Sequence, residues 1–164
     1  ANDGFRDSLC HEAQARGIDP ARLIFAARAT PENHLARLGL AGLMLDTLPY
    51  TGHMTAADAL WMGVPIVTLP GHSFASRVAA SLLRAIDMPD LVTDTLQDYE
   101  ALALKLANDP AALKTVRDKI LRNRTSMPLF DTDRLRRHIE TAYTIMWQMQ
   151  QDGEAPRGFN VPAL

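Results

Sequence analysis

Leu45-Asp46-Thr47-Leu48-Pro49-Tyr50-Thr51-Gly52-His53-Met54-Thr55-Ala56-Ala57-Asp58-Ala59-Leu60-Trp61-Met62-Gly63-Val64-Pro65 is the stretch from which the fold follows. Leu43-Met44-Leu45 has the look of a short buried strand ending at Asp46. A loop runs from Thr47 to His53, and the pattern predicts a helix from about Met54 to Met62, stopped by Gly63. The apolar run Pro65-Ile66-Val67-Thr68-Leu69 predicts a second strand directly after it. Strand, loop, helix and strand in this order read as a βαβ crossover, and hence as a parallel sheet with helices on its faces.

Upstream, Leu23-Ile24-Phe25-Ala26 predicts a further buried strand over about residues 22–27. It lies between a helix from Phe5 to Arg16, stopped by Gly17, and a second helix near Glu32 to Leu38. Downstream, Pro70-Gly71-His72-Ser73 punctuates the chain, and Phe74 to Ile86 reads as a helix with Phe74, Val78 and Leu82 on one side. Asp109 and Pro110 supply an N-cap and an N1 proline for a helix carrying Leu113, Val116 and Ile120 at helical spacing. Asp131 is placed to cap a longer helix, with Phe130 and Leu135 positioned as a hydrophobic staple. Along that helix Leu135, Ile139, Tyr143 and Met146 form a stripe expected to be core or an inter-domain contact, and Trp61 and Trp147 read as packing residues. The expected organisation is one α/β lobe over residues 1–150 and an irregular tail over 151–164. A helix-first order, and a chain that begins Ala1-Asn2-Asp3, lead us to expect the first strand of the sheet upstream of Ala1, in a longer protein.

The 164 residues are 47% hydrophobic and 22% charged, with a formal net charge of -2, enough for one ordinary core. That balance gives no footprint for nucleic acid, which needs clustered positive charge. Lys114, Arg117, Lys119, Arg122 and Arg124 are interleaved with apolar positions and read as the wet face of a helix. Cys10 is the only cysteine, which precludes an internal disulfide and fits a reducing compartment. With no basic constellation beside it in sequence, it reads as a packing residue rather than a nucleophile. No apolar run reaches membrane-spanning length, so the expectation is a cytoplasmic protein with neither membrane nor nucleic acid as partner.

The loop and helix from Gly52 onward carry the chemistry. Gly52 permits a tight approach, and the residues after it begin a helix at the carboxyl end of a parallel strand. The free N–H groups of a first helical turn and the positive end of its dipole favour an anion such as phosphate. Thr55 adds a hydroxyl donor and His53 an imidazole donor, while Asp58, three residues beyond Thr55, is an acceptor for a ribose diol. A plainer reading stands beside this one: Thr55 and Asp58 also fit a capping box, with Asp in place of Glu.

Leu45-Asp46-Thr47, then Gly52-His53-x-Thr55-x-x-Asp58-x-Leu60-Trp61-x-Gly63-x-Pro65, resembles the UDP-binding motif of the O-GlcNAc transferase and SPINDLY family. Val67-Thr68-Leu69-Pro70-Gly71, Ala75-Ser76-Arg77-Val78-Ala79-Ala80-Ser81 and Ser126-x-Pro128-Leu129-Phe130 extend the likeness, which runs from Leu23 to about Trp147. By position, the resemblance implies that His53, Met54 and Thr55 grip the diphosphate, Met54 through its backbone only because it departs from the family's threonine. It implies that Asp58 binds the ribose, that the Ala29 backbone meets the uracil, and that His34 and Arg37 lie beside the base. Pro31 stands where the animal enzymes place a lysine against the nucleotide, so that contact is absent here. Arg77 reads as a structural tie, and Gly71, His72 and Ser73 as residues near the cleft.

The resemblance further implies a Rossmann-like parallel sheet with flanking helices, forming the C-terminal lobe of a two-lobed GT-B glycosyltransferase. The expected reaction is inverting transfer of N-acetylglucosamine from UDP-GlcNAc to serine or threonine of a protein acceptor. The acceptor would be brought by regions outside this chain. No cofactor and no metal are expected. The catalytic residues are left open, with His53 and Thr55 as candidates to stabilise the departing diphosphate. The alternatives are a SPINDLY-like transferase with a different donor, such as GDP-fucose, or a non-catalytic nucleotide-binding or interaction fragment.

Overall fold

The structure, a computed structural model, describes residues 3–162. These fall into two compact units divided between His34 and Leu35. In the first, helix α1 (Asp3–Ala15) ends at Gly17, whose φ of 72° lies in the left-handed region that favours glycine. A 3-10 turn at Pro20–Arg22 follows, capped by Asp19, whose carboxylate accepts from the N–H of Ala21 at 2.9 Å.

The strand expected over residues 22–27 does not form. Leu23 to Thr30 has no regular structure, Ile24 is 90% exposed, and Phe25 lies under the guanidinium of Arg6, 4.9 Å from its ring centroid. An apolar run becomes a strand only when another strand takes its backbone hydrogen bonds. No described residue pairs with this one.

The second unit holds the βαβ element. Helix α2 (Pro31–Leu38) leads to strand β1 (Met44–Leu45), helix α3 (Met54–Trp61) and strand β2 (Ile66–Val67). The strands are parallel, with Met44 opposite Ile66 and Leu45 opposite Val67. Past the end of β2, Thr68 makes a parallel bridge to Val92, so the segment after the 3-10 turn Pro89–Leu91 continues the sheet. This third element carries no strand-length apolar run, and the sequence reading missed it. Ala56, Ala59 and Leu60 on the inner face of α3 join Val64, Ile66 and Val67 in one buried core. Each fully buried branched side chain there contributes roughly 1.5–3 kcal/mol. At Gly63 the chain turns sharply, with φ of 75° and the Val64 N–H donating back to the Ala59 carbonyl at 2.8 Å.

Helix α4 (Val78–Ala85) starts four residues later than expected. Ser73 holds the preceding residues in a turn: its hydroxyl accepts from the Ser76 N–H, and the Arg77 N–H donates to the Phe74 carbonyl. A hydroxyl that offers the backbone a local partner competes with helix at that point. Phe74 is accordingly exposed, and the buried face of α4 is Ala79, Ala80 and Leu83 rather than Phe74, Val78 and Leu82. Helices α5 (Leu96–Asn108) and α6 (Pro110–Asn123) close the core, and Asp109 caps α6 as expected.

The basic residues of α6 and its end are not all solvated. Arg117 donates to the carbonyls of Gly39 (2.7 Å) and Ala41 (3.1 Å). Arg124 donates to the Trp61 carbonyl and lies 4.9 Å over the Trp61 ring. Both tie distant loops through backbone oxygens, a task that the planar fork of arginine suits. Helix α7 (Thr132–Gln151) is capped by Asp131, but Leu135, Ile139, Tyr143, Met146 and Trp147 stay exposed, so its apolar stripe is not core within this unit. Beyond Asp152 no helix or strand follows up to residue 162. No described helix is long and apolar enough to cross a membrane.

Candidate functional site

Parallel sheets bind ligands outside the carboxyl ends of their strands, and here two loops leave those ends. The first, from Thr47 to His53, connects β1 to α3; the second, from Leu69 to Arg77, connects β2 to α4. They are fastened together at one atom. The Ala75 carbonyl accepts from the N–H of Thr51 (3.0 Å) and from its hydroxyl (2.7 Å). His53 Nε2 lies 3.4 Å from the same oxygen, so the tautomer protonated there donates to it. The His53 ring stacks on Tyr50 at 4.9 Å and meets the edge of Phe74 at 5.9 Å. Between the loops lies a hollow of about 350 Å³, bordered by Leu48, Pro49, Pro70, Gly71, His72 and Ser73. A larger one, about 450 Å³, runs along the outer side of α4 beside Arg77 and Arg84. Neither hollow is lined by His53, Met54, Thr55 or Asp58.

Helix α3 begins at Met54, with His53 at its N-cap and no side chain capping it. The first intrahelical bond is made by Ala57, whose N–H donates to the His53 carbonyl at 3.0 Å. By helix geometry, the N–H groups of Met54, Thr55 and Ala56 have no partner within the helix. This excludes the capping box: Thr55 is the second residue inside the helix, and Asp58 lies beyond the first turn. Met54 is 74% exposed, and Thr55 is exposed beside it. Asp58 is half-buried. The first turn of α3 is therefore a concentration of positive partial charge, with a carboxylate one turn further along.

Gly52 makes the approach possible. A Cβ there would sit 3.2 Å from the Ala56 Cβ, 3.2 Å from the Met44 Cε and 3.4 Å from the Ala56 nitrogen. It would crowd the first turn at Ala56, which is itself fully buried.

Of the seven residues expected at the site, His53, Met54, Thr55 and Asp58 are gathered at the start of α3. Arg37 is exposed in the last turn of α2. Ala29 and His34 belong to the first unit and are half-buried there, Ala29 in the irregular segment and His34 in α2. Arg77 donates from Nε to the Ser73 carbonyl at 3.2 Å, which fits its structural assignment.

Asp46 went without a role in the sequence reading. It is 4% exposed, at the carboxyl end of β1. One carboxylate oxygen accepts from the N–H groups of Gly52 (2.7 Å) and Thr47 (3.0 Å), the other from the Thr68 hydroxyl (2.6 Å). The Asp46 carbonyl accepts from the Tyr99 hydroxyl at 2.9 Å. Burial foremost, and then the Asp46 charge, push the Tyr99 phenol above its ordinary range. The signal available in sequence was an aspartate ending an apolar strand six residues before the glycine.

The sequence profile described as glycosyl transferase family 41 matches residues 5–139. A UDP-N-acetylglucosamine–peptide N-acetylglucosaminyltransferase from Caenorhabditis elegans is 41% identical over 84% of this chain and 12% of its own length. A protein from Hordeum vulgare, described as a probable UDP-N-acetylglucosamine–peptide N-acetylglucosaminyltransferase SPINDLY, is 37% identical over 94% of this chain and 16% of its own length. Among solved structures, an O-GlcNAc transferase variant from Thermobaculum terrenum superposes with a TM-score of 0.80 at 35% identity, over 87% of this chain and 28% of that one. The fold is thus the α/β architecture of that transferase. The chain spans about an eighth to a sixth of the length of these two curated relatives. With the profile matching most of its residues and the relatives so similar, the chain belongs to glycosyl transferase family 41.

Proposed function

We propose that this chain is the nucleotide-sugar-binding part of an inverting protein O-GlcNAc transferase, which moves N-acetylglucosamine from UDP-GlcNAc to serine or threonine of a protein acceptor. The observation that carries the reading is the uncapped start of α3 at the carboxyl end of a parallel strand, with His53, Thr55 and Asp58 around it. The diphosphate lies against the N–H groups of Met54 and Thr55, with His53 and the Thr55 hydroxyl as further donors. Asp58 accepts from the ribose, and the family resemblance assigns Ala29, His34 and Arg37 to the base. Negative charge grows on the diphosphate as the sugar leaves, so donors fixed in advance lower the barrier without reorganising. We read the diphosphate as held by these groups without a metal. The acceptor comes with other regions of the transferase, and this segment alone transfers no sugar because transfer also needs the acceptor hydroxyl held in line. A cytoplasmic, reducing setting suits the free thiol of Cys10.

Calorimetric titration with UDP and, in parallel, GDP tests the donor assignment in the full-length protein. Preference for UDP, with label transfer from UDP-GlcNAc to a protein acceptor, is expected. Preference for GDP would move the assignment to another donor, and binding of neither would leave an interaction module.

A further inference from the structure

We propose that Asp46 is the positioning residue of the diphosphate site, setting the first turn of α3 through Gly52; this rests on the donor-site reading above. Asp46 touches no ligand position. Its effect runs through the loop: Oδ1 takes the N–H of Gly52, the residue immediately before the N-cap, at 2.7 Å. The N–H of Thr47 at 3.0 Å on the same oxygen pins the other end of the loop. The loop is thus closed on one buried carboxylate, and that carboxylate is itself held. Thr68, wholly buried at the end of β2, donates to Oδ2 at 2.6 Å, and Tyr99 of α5 donates to the Asp46 carbonyl at 2.9 Å.

Three elements therefore converge on Asp46: β1, β2 and α5. All of them are built into the core, so the position of the Gly52 N–H is fixed by rigid parts rather than by the loop itself. A carboxyl group buried this completely needs hydrogen-bond partners, and three are supplied. The start of α3 has no capping side chain of its own. Through Gly52, the residue before the cap, the Asp46 carboxylate does the orienting that a cap would do and leaves the first-turn N–H groups to the ligand. A cap residue inside the turn would compete with the phosphate for those donors.

The test uses the full-length protein that carries this segment. Asp46→Ala, Asp46→Asn and Thr68→Val are compared with wild type by calorimetric titration with UDP, at a temperature where circular dichroism finds each folded. Asp46→Ala should weaken UDP about tenfold, because the first-turn donors lose the anchor that holds them in place before binding. Asp46→Asn should recover to within about threefold, because its carboxamide oxygen still accepts from Gly52 and Thr47. Pyrophosphate competition should weaken with UDP, while uridine competition moves less than about twofold, since only the phosphate donors are displaced. Unchanged UDP affinity in folded Asp46→Ala would overturn the role of Asp46 alone, as would equal losses for pyrophosphate and uridine. Should Asp46→Ala not fold, Thr68→Val decides the matter: a loss of about threefold is expected, and an unchanged affinity overturns the proposal. Wild-type protein that binds no UDP would overturn the donor-site reading itself.

Discussion

Replacing Gly52 by alanine separates the site from the fold. Gly52 is not in the left-handed region, so the substitution brings no backbone strain and keeps the N–H that Asp46 accepts. The added methyl meets the Ala56 Cβ and Met44 Cε at 3.2 Å, tighter than ordinary contact. Met44 can shift its terminal methyl, so the packing cost is at the low end for overpacking, about 1 kcal/mol. That corresponds to about 2–4 °C in Tm for a domain of this size. The same methyl presses on the first turn of α3 at the buried Ala56, beside the exposed Met54 and Thr55. Displacing the N–H of Met54 or Thr55 from a phosphate is worth about 1.5–3 kcal/mol, which converts to roughly 10–150-fold in UDP affinity. Gly63→Ala is the control. Its φ is 75° and its Cβ would lie 2.6 Å from the Leu121 Cδ2, so stability should fall by about 2–4 kcal/mol while UDP affinity in the folded protein stays the same. Calorimetric titration and scanning calorimetry on the full-length protein read both quantities. If Gly52→Ala left UDP affinity unchanged while folded, the first turn of α3 would not be the phosphate site.

Asp58→Ala should weaken UDP by about 1.5–3 kcal/mol and leave pyrophosphate nearly unaffected, because pyrophosphate has no ribose; equal losses in calorimetry would remove Asp58 from the ribose. The Tyr99 phenol, raised by burial and by Asp46, keeps its proton in the folded state where the unfolded chain has lost it. Stability should therefore decline as pH rises from about 10 through the raised folded value, and Tyr99→Phe should flatten that decline in urea titrations. Arg117→Lys should cost about 1–3 kcal/mol by chemical denaturation, since an ammonium cannot serve the Gly39 and Ala41 carbonyls as one planar fork does; a neutral outcome would mean that the two loops hold without it.

Local pattern was sufficient where one residue settles one piece of backbone. Gly17 and Gly63 stop their helices, Asp109 and Asp131 start theirs, and the order around Met54–Trp61 required a parallel pair because a crossover helix permits nothing else. The candidate residues at the start of α3 were legible for the same reason: His53, Thr55 and Asp58 are close in sequence and share one turn or the next. Where an outcome depended on a distant partner, the sequence alone was silent or misleading. The apolar run at Leu23–Ala26 is not a strand because no described segment pairs with it, and the α7 stripe stays exposed among the described residues. Arg117 and Arg124 look like solvated charges until carbonyls dozens of residues away are brought to them. Tertiary structure alone gave Asp46 its place. Its bonds to Thr68 and Tyr99 span 22 and 53 residues, and only packing of β2 and α5 against β1 creates the dry, low-dielectric pocket in which one carboxylate can govern a loop.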